Sequence, residues 1–274
     1  MTRNYYCLVA GLPELTLEQN KLSFTQLDFK SELQEQLHPE DYALVKLSFL
    51  YIDNKNLYSL LSGSDQAFID GGKYSQEELE AAIKDPEGLI GYMLEYINAY
   101  KDETPIYPGI SWENQLTTLY YNYVTSVDNV FLREYFKHEL QLNNIITALN
   151  CKKFNLPAEK EVIEDDEYKE HLVKNTSRDF GLSSELPYIE KLVFLFEGQD
   201  LLKREWDLDQ MKWDYLDENT VFEYFTLEKV LSYLLKLGII ERWLKLDPEA
   251  GKELFQKFLA ELKNSYEFPK EYAL

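Results

Sequence analysis

Apolar residues recur at helical spacing over most of the chain. The clearest run lies between Asp128 and Lys153, where Phe131, Tyr135, Leu142, Ile145 and Leu149 are separated by charged and polar residues. That period predicts one long amphipathic helix. Start signals predict others. Ser75-Gln76-Glu77-Glu78 reads as a capping box, in which the serine oxygen takes an early orphan amide and Glu78 reaches back to the cap. Thr226 precedes a stripe of Val230, Leu231, Leu234 and Leu235, and Asp247-Pro248-Glu249 precedes one of Leu254, Phe255, Phe258, Leu259 and Leu262. Breaks fall at His38-Pro39, at Gly71-Gly72, between residues 104 and 109, and at Leu156-Pro157. Near the start, Tyr5-Tyr6-Cys7-Leu8-Val9-Ala10 fits a buried strand as well as a helix. The expected class is all-α, with a short strand near the N-terminus left open.

A short polar pattern recurs within these helices. Tyr51-Ile52-Asp53-Asn54-Lys55-Asn56-Leu57 can be laid over residues 139–145, with Gln141 and Asn144 at the matching polar positions, and over residues 205–211, with Asp207 and Gln210. In each copy the two polar residues lie three apart, so on a helix they share a face. The spacings, from 53 to 141 and from 141 to 207, are too uneven for a stacked solenoid. Three related helical modules fit better, spanning 1–103, 104–180 and 181–274, with room for the modules to interleave.

Composition agrees with a helical, folded chain. Of 274 residues only 11 are Gly and 9 Pro, few for a protein of short strands and turns, while 45% are hydrophobic and 15% aromatic. The formal charge of −21 disfavours a nucleic-acid backbone and an anionic bilayer as partners. Pro13-Glu14 ends the first apolar run short of a signal-peptide core, and the uncharged stretch from Gln115 to Val127 is too short to span a membrane. Two cysteines, Cys7 and Cys151, make no disulfide framework, which points to the reducing cytosol, and both read as small buried apolar residues.

Catalytic and cofactor signatures are missing from the sequence. Gly72-Lys73 is followed by Tyr74 and preceded by Ala67 where a phosphate loop needs glycine, so Gly71-Gly72 reads as a turn. His38, His138 and His171 form no Glu-x-x-His or His-Glu-x-x-His set. His138 follows Glu134 by four residues, a spacing that suits a solvated helix-face ion pair better than a metal site. No Gly-x-Ser-x-Gly occurs, and Glu164-Asp165-Asp166-Glu167 lacks the glycine and spaced ligands of a calcium loop. No catalytic residue, cofactor or metal is therefore expected. Trp206 and Trp213, seven residues apart among alternating charges, have two readings: a core-facing stripe, or an interface anchor.

The opening Asn4 to Leu15, Arg204-Glu205-Trp206-Asp207 and Arg242-Trp243-Leu244-Lys245-Leu246-Asp247 together resemble a bacterial family encoded beside the subunits of V/A-type ATPases. Residues 139–149 are in turn similar to the Glu-Ile-Asp-x-x-Asn-Leu-x-x-x-Leu helix of the d-type socket subunit in the central stalk of those ATPases. Two departures mark the match: Gln141 stands for the family's Asp, and Asn150 for a basic residue. The resemblance implies a cytoplasmic, non-catalytic, funnel-like or elongated subunit of three helical modules, peripheral to the membrane through the complex. It would seat the central rotor stalk on the proteolipid ring, with Asp53, Asn56, Gln141, Asn144, Arg204, Asp207, Gln210 and Trp213 as repeat or interface candidates. Its acids would gather on the funnel rim and inner wall. Rival readings are a free helical enzyme or ligand-binding protein with a pocket between modules, and an assembly factor for the same ATPase.

Overall fold

A computed structural model describes residues 3–163 and 168–246. The acidic run 164–167 and the C-terminal stretch with the cap at Asp247 and the stripe from Leu254 to Leu262 lie outside the described residues. Among the described residues the chain is all-α, with 13 helices and one isolated antiparallel bridge, Asn4 to Thr226.

Local signals account for many helix ends. Thr25 and Ser75 each close a capping box, on α2 (Gln26–Gln36) and α5 (Gln76–Lys84). His38 caps α3 (Pro39–Leu47), whose first residue is proline. Its fixed φ suits a first turn that has no use for the missing amide. The long amphipathic helix is α8 (Val130–Phe154), capped by Asn129 and ended by Asn155 in the left-handed conformation. Thr226 does precede α13 (Leu227–Lys245), but its hydroxyl donates to Glu223 at 2.8 Å instead of capping the helix. The ambiguous segment near the start is helix, α1 (Tyr6–Gly11), not strand. It turns Leu8 inward and leaves Cys7 exposed, so of the two thiols only Cys151 is buried.

Helices α2, α3, α4 (Leu50–Ser62), α5, α6 (Gly91–Lys101), α7 (Trp112–Val124) and α13 surround the larger core, centred on Phe29, Phe49, Met93 and Tyr96. A second core joins α9 (Ala158–Glu161), α10 (Lys169–Lys174) and α11 (Ile189–Glu197) around Leu142, Ile145, Leu182 and Leu192. Two long helices serve both. α8 gives Phe131 to Leu140 to the first core and Leu142 to Leu149 to the second; α12 (Leu201–Glu218) gives Leu216 to the first and Leu208 and Met211 to the second. The cores are thus continuous across residues 103 and 180, and α8 and α12 act as beams joining them. No helix among the described residues is long and apolar enough to cross a membrane.

Candidate functional site

Two copies of the polar pattern do the same mechanical job. On α4, Asn56 accepts from the Ile69 amide at 2.9 Å and donates to the Ile69 carbonyl at 2.8 Å. On α8, Asn144 accepts from the Ile163 amide at 3.0 Å and donates to the Ile163 carbonyl at 3.4 Å. Both asparagines are buried. A carboxamide carries a donor and an acceptor side by side, so it can hold both backbone groups of one residue. Asn56 thereby clamps the loop that follows α4, and Asn144 the segment that follows α9.

The first polar position of the pattern has different surroundings in the first two copies. Asp53 is fully buried and accepts from the amides of Lys73 and Tyr74 at 2.8–3.0 Å. Burial pushes its carboxyl up, and the two amides, with Lys30 and Lys73, pull it back. Lys30 completes the arrangement by donating to the carbonyls of Gly71 and Gly72, each at 2.7 Å, and lies over the Phe49 ring. At Gly72 any Cβ would collide with Asp53 Oδ1, so this turn needs glycine for close approach. Gln141, by contrast, accepts from the Tyr188 hydroxyl at 3.2 Å. Its partner is a side-chain hydroxyl rather than a pair of amides, and a neutral amide serves.

The third copy departs from the pattern. Gln210 donates to Asp214 in an exposed pair on the same helix. The buried acid of α12 is Asp209, whose carboxylate receives the Arg242 guanidinium and Trp243 Nε1, the latter at 2.8 Å. Asp207, two residues away, is half-buried and points to a different face. Glu205 meets Arg242 at 3.1 Å, and the Trp206 and Trp243 rings meet edge-on at 5.2 Å between centroids. Leu15 and Leu17 pack onto the same aromatic cluster. Leu15 and Leu17, the 205–209 stretch of α12 and Arg242 to Leu244, far apart in sequence, therefore converge. Trp213 is buried, with the Lys236 ammonium 4.4 Å from its ring centre. The Arg204 guanidinium lies over the Phe196 ring, 4.5 Å from its centre.

Tyr51 is 44% exposed, yet its hydroxyl is held above its usual range, by burial first and then by Glu241 and Glu139. Glu139 of α8 receives the Tyr121 hydroxyl at 3.3 Å, and burial pushes its carboxyl up against the pull of Lys212. Asn143 donates to the same Tyr121 hydroxyl at 2.9 Å. Tyr135, buried beside them, feels Glu139, Asp209 and Tyr51. Residues from α4, α8, α12 and α13 thus share one electrostatic environment, which the spacing pattern alone does not reveal.

His138 is not the solvated partner of Glu134. Glu134 pairs with Lys137 and Arg133, while His138 stacks on Tyr215 at 4.0 Å with planes 2° apart. Burial first, then Lys212, lowers its pKa to about 4. Among the described residues no three His, Cys, Asp or Glu side chains converge to hold a metal ion.

No curated protein and no solved structure matches the chain. A family model described as "Protein of unknown function (DUF2764)" matches residues 1–266, nearly the whole length, and the chain belongs to that family.

Proposed function

We propose that this protein is a non-catalytic component of a V/A-type rotary ATPase, the socket through which the central stalk is coupled to the proteolipid ring. The observation that carries the reading is the duplicated clamp, Asn56 on Ile69 and Asn144 on Ile163, on α8, whose residues 139–149 resemble the socket motif of those ATPases, and on α4, which carries the same polar pattern. A part that transmits torque needs loops held rigidly to helices, and a two-point bond to one backbone unit does that. Copurification tests it. Tagged at its N-terminus and expressed at its native level, the protein should elute with the intact, detergent-extracted ATPase at about one copy per complex. An intact complex that lacks it would refute the reading.

A second reading draws on Glu139, which receives the hydroxyl of buried Tyr121, itself bonded by Asn143, a polar group of the kind a ligand-binding protein or enzyme would build. It predicts that Glu139→Gln abolishes an activity or a ligand-induced rise in melting temperature. The socket reading predicts no such effect.

A further inference from the structure

Where the C-terminal end of α8 meets that of α11, the second core carries a cleft of about 260 Å³. Leu149, Val193 and Phe196, all buried members of that core, give it an apolar floor. Its rim is basic, in a chain whose formal charge is −21: Lys152, Lys153 and Arg178 stand there against one acid, Glu197. Arg178 and Glu197 neutralise each other through two bonds at 2.7 and 2.8 Å, and Glu190 adds a contact to the same guanidinium at 3.5 Å. The lysines are held differently, by main-chain carbonyls. Lys152 Nζ donates to Thr176 and Ser177 at 2.9 and 2.7 Å, and Lys153 Nζ to Phe196 at 3.3 Å. Among the described residues neither ammonium pairs with a carboxylate.

These bonds explain why lysine suits the last turn of α8, but they use up neither its charge nor its donors. The ends of α8 and α11 carry about half a negative charge each, so the two ammonium groups leave an excess of about one positive charge. Arg204 adds a third cation against Phe196, with its guanidinium 4.5 Å from the ring centre and its buried Nε without an acceptor, and brings the excess to about two. Acids elsewhere on the chain do not cancel it, because salt screens charge over about 8 Å under physiological conditions. An ammonium has three N–H groups, so Lys152 keeps one donor open and Lys153 two. A phosphate monoester matches that inventory, with about two negative charges and three acceptor oxygens, where a carboxylate brings one charge and two oxygens. We infer that the cleft between the ends of α8 and α11 binds a small organic phosphate monoester, its phosphate on Lys152 and Lys153 and its apolar body on Leu149, Val193 and Phe196. The cleft is smaller than the pockets that enclose drug-sized ligands, which limits that body to about one ring.

Phenyl phosphate is the probe, titrated calorimetrically into the full-length chain. It should bind with a Kd below about 1 mM that weakens as salt is raised. Inorganic phosphate, which lacks the ring, and phenylacetate, which replaces phosphate by carboxylate, should each bind at least about ten-fold more weakly. Lys152→Gln combined with Lys153→Gln should weaken phenyl phosphate by at least about ten-fold with far-UV circular dichroism unchanged, whereas Lys84→Gln on α5 should leave the affinity as it is. If the double variant does not fold, the single changes decide: Lys153→Gln should lose affinity and Lys153→Arg keep it. No binding at about 10 mM, inorganic phosphate or phenylacetate binding as tightly as the probe, an affinity indifferent to Lys153, or an equal loss with Lys84→Gln would overturn the inference. So would adsorption to vesicles of phosphatidylcholine and phosphatidic acid without affinity for phenyl phosphate, which would assign the phosphate to a lipid headgroup. The inference stands apart from the socket reading: a chain missing from the ATPase complex leaves the cleft's affinity untouched, and a cleft without affinity leaves the socket untouched.

Discussion

Replacing each clamp asparagine by alanine separates a working duplication from a coincidence of sequence. Both substitutions remove the same two hydrogen bonds, but the freed backbone groups meet different surroundings. Ile69 is 43% exposed, so after Asn56→Ala its amide and carbonyl turn to water, and the cost is about 1 kcal/mol. Ile163 is only 9% exposed, and after Asn144→Ala two polar groups are stranded without solvent, at about 2–3 kcal/mol. Urea unfolding followed by far-UV circular dichroism reads the difference, with the m value unchanged if the native state keeps its compactness. At roughly 2–4 °C per kcal/mol for a chain somewhat shorter than this one, melting should fall by about 2–4 °C for Asn56→Ala and about 5–10 °C for Asn144→Ala. Asn144→Asp should not rescue, because a carboxylate keeps the acceptor for the Ile163 amide but repels its carbonyl. A loss below about 0.5 kcal/mol for Asn144→Ala, or a larger loss at Asn56, would refute the reasoning, since solvent access alone sets the predicted order.

Three further changes probe the parts around the clamps. Gly72→Ala drives a methyl into the Asp53 carboxylate and should cost about 2 kcal/mol. Combined with Asp53→Ala, which removes the obstacle, the loss measured by urea unfolding should be clearly less than additive. Arg242→Ala leaves Asp209, whose side chain is 4% exposed, with only Trp243 as a donor, and should destabilise by about 2–4 kcal/mol, with altered Trp fluorescence from the 206/243 pair. His138→Phe tests the pH dependence. In the folded protein His138 titrates at about 4, below its unfolded value near 6.5, so between those limits the unfolded chain binds a proton that the folded chain refuses. Stability therefore falls as pH drops through that window, by roughly 2–3 kcal/mol in total, and the variant should lack that part of the fall. Glu139 works in the opposite sense: its raised carboxyl adds stability at low pH that is lost as pH rises through its folded value. Comparison of wild type with His138→Phe isolates the histidine.

How far the sequence can be read depends on whether the partner is local. Ser75 and Glu78 cap within one turn, and the period of α8 lies inside a single helix, so both are visible as residue patterns. Asn56 and Asn144 stand out by spacing, but what they grip does not, because a backbone amide and carbonyl leave no mark on residue identity. The third copy misleads for a related reason. Asp207 matches the spacing, while the acid that Arg242 and Trp243 reach is Asp209, two residues and about 200° around the helix. Local pattern also misplaces Cys7 and His138, because α1 turns only Leu8 inward, and because Tyr215, 77 positions away in sequence, competes with Glu134 for the imidazole face. The electrostatic neighbourhood shared by residues of α4, α8, α12 and α13 is a product of tertiary assembly alone.

Coupling itself is the claim to measure. In inside-out vesicles from cells lacking this gene, the socket account predicts that the V/A-type ATPase still hydrolyses ATP, that ATP-driven ion uptake is lost, and that the intact chain restores it while a chain carrying Asn144→Ala restores it poorly. Ion uptake that proceeds at the wild-type rate without the protein would contradict the account.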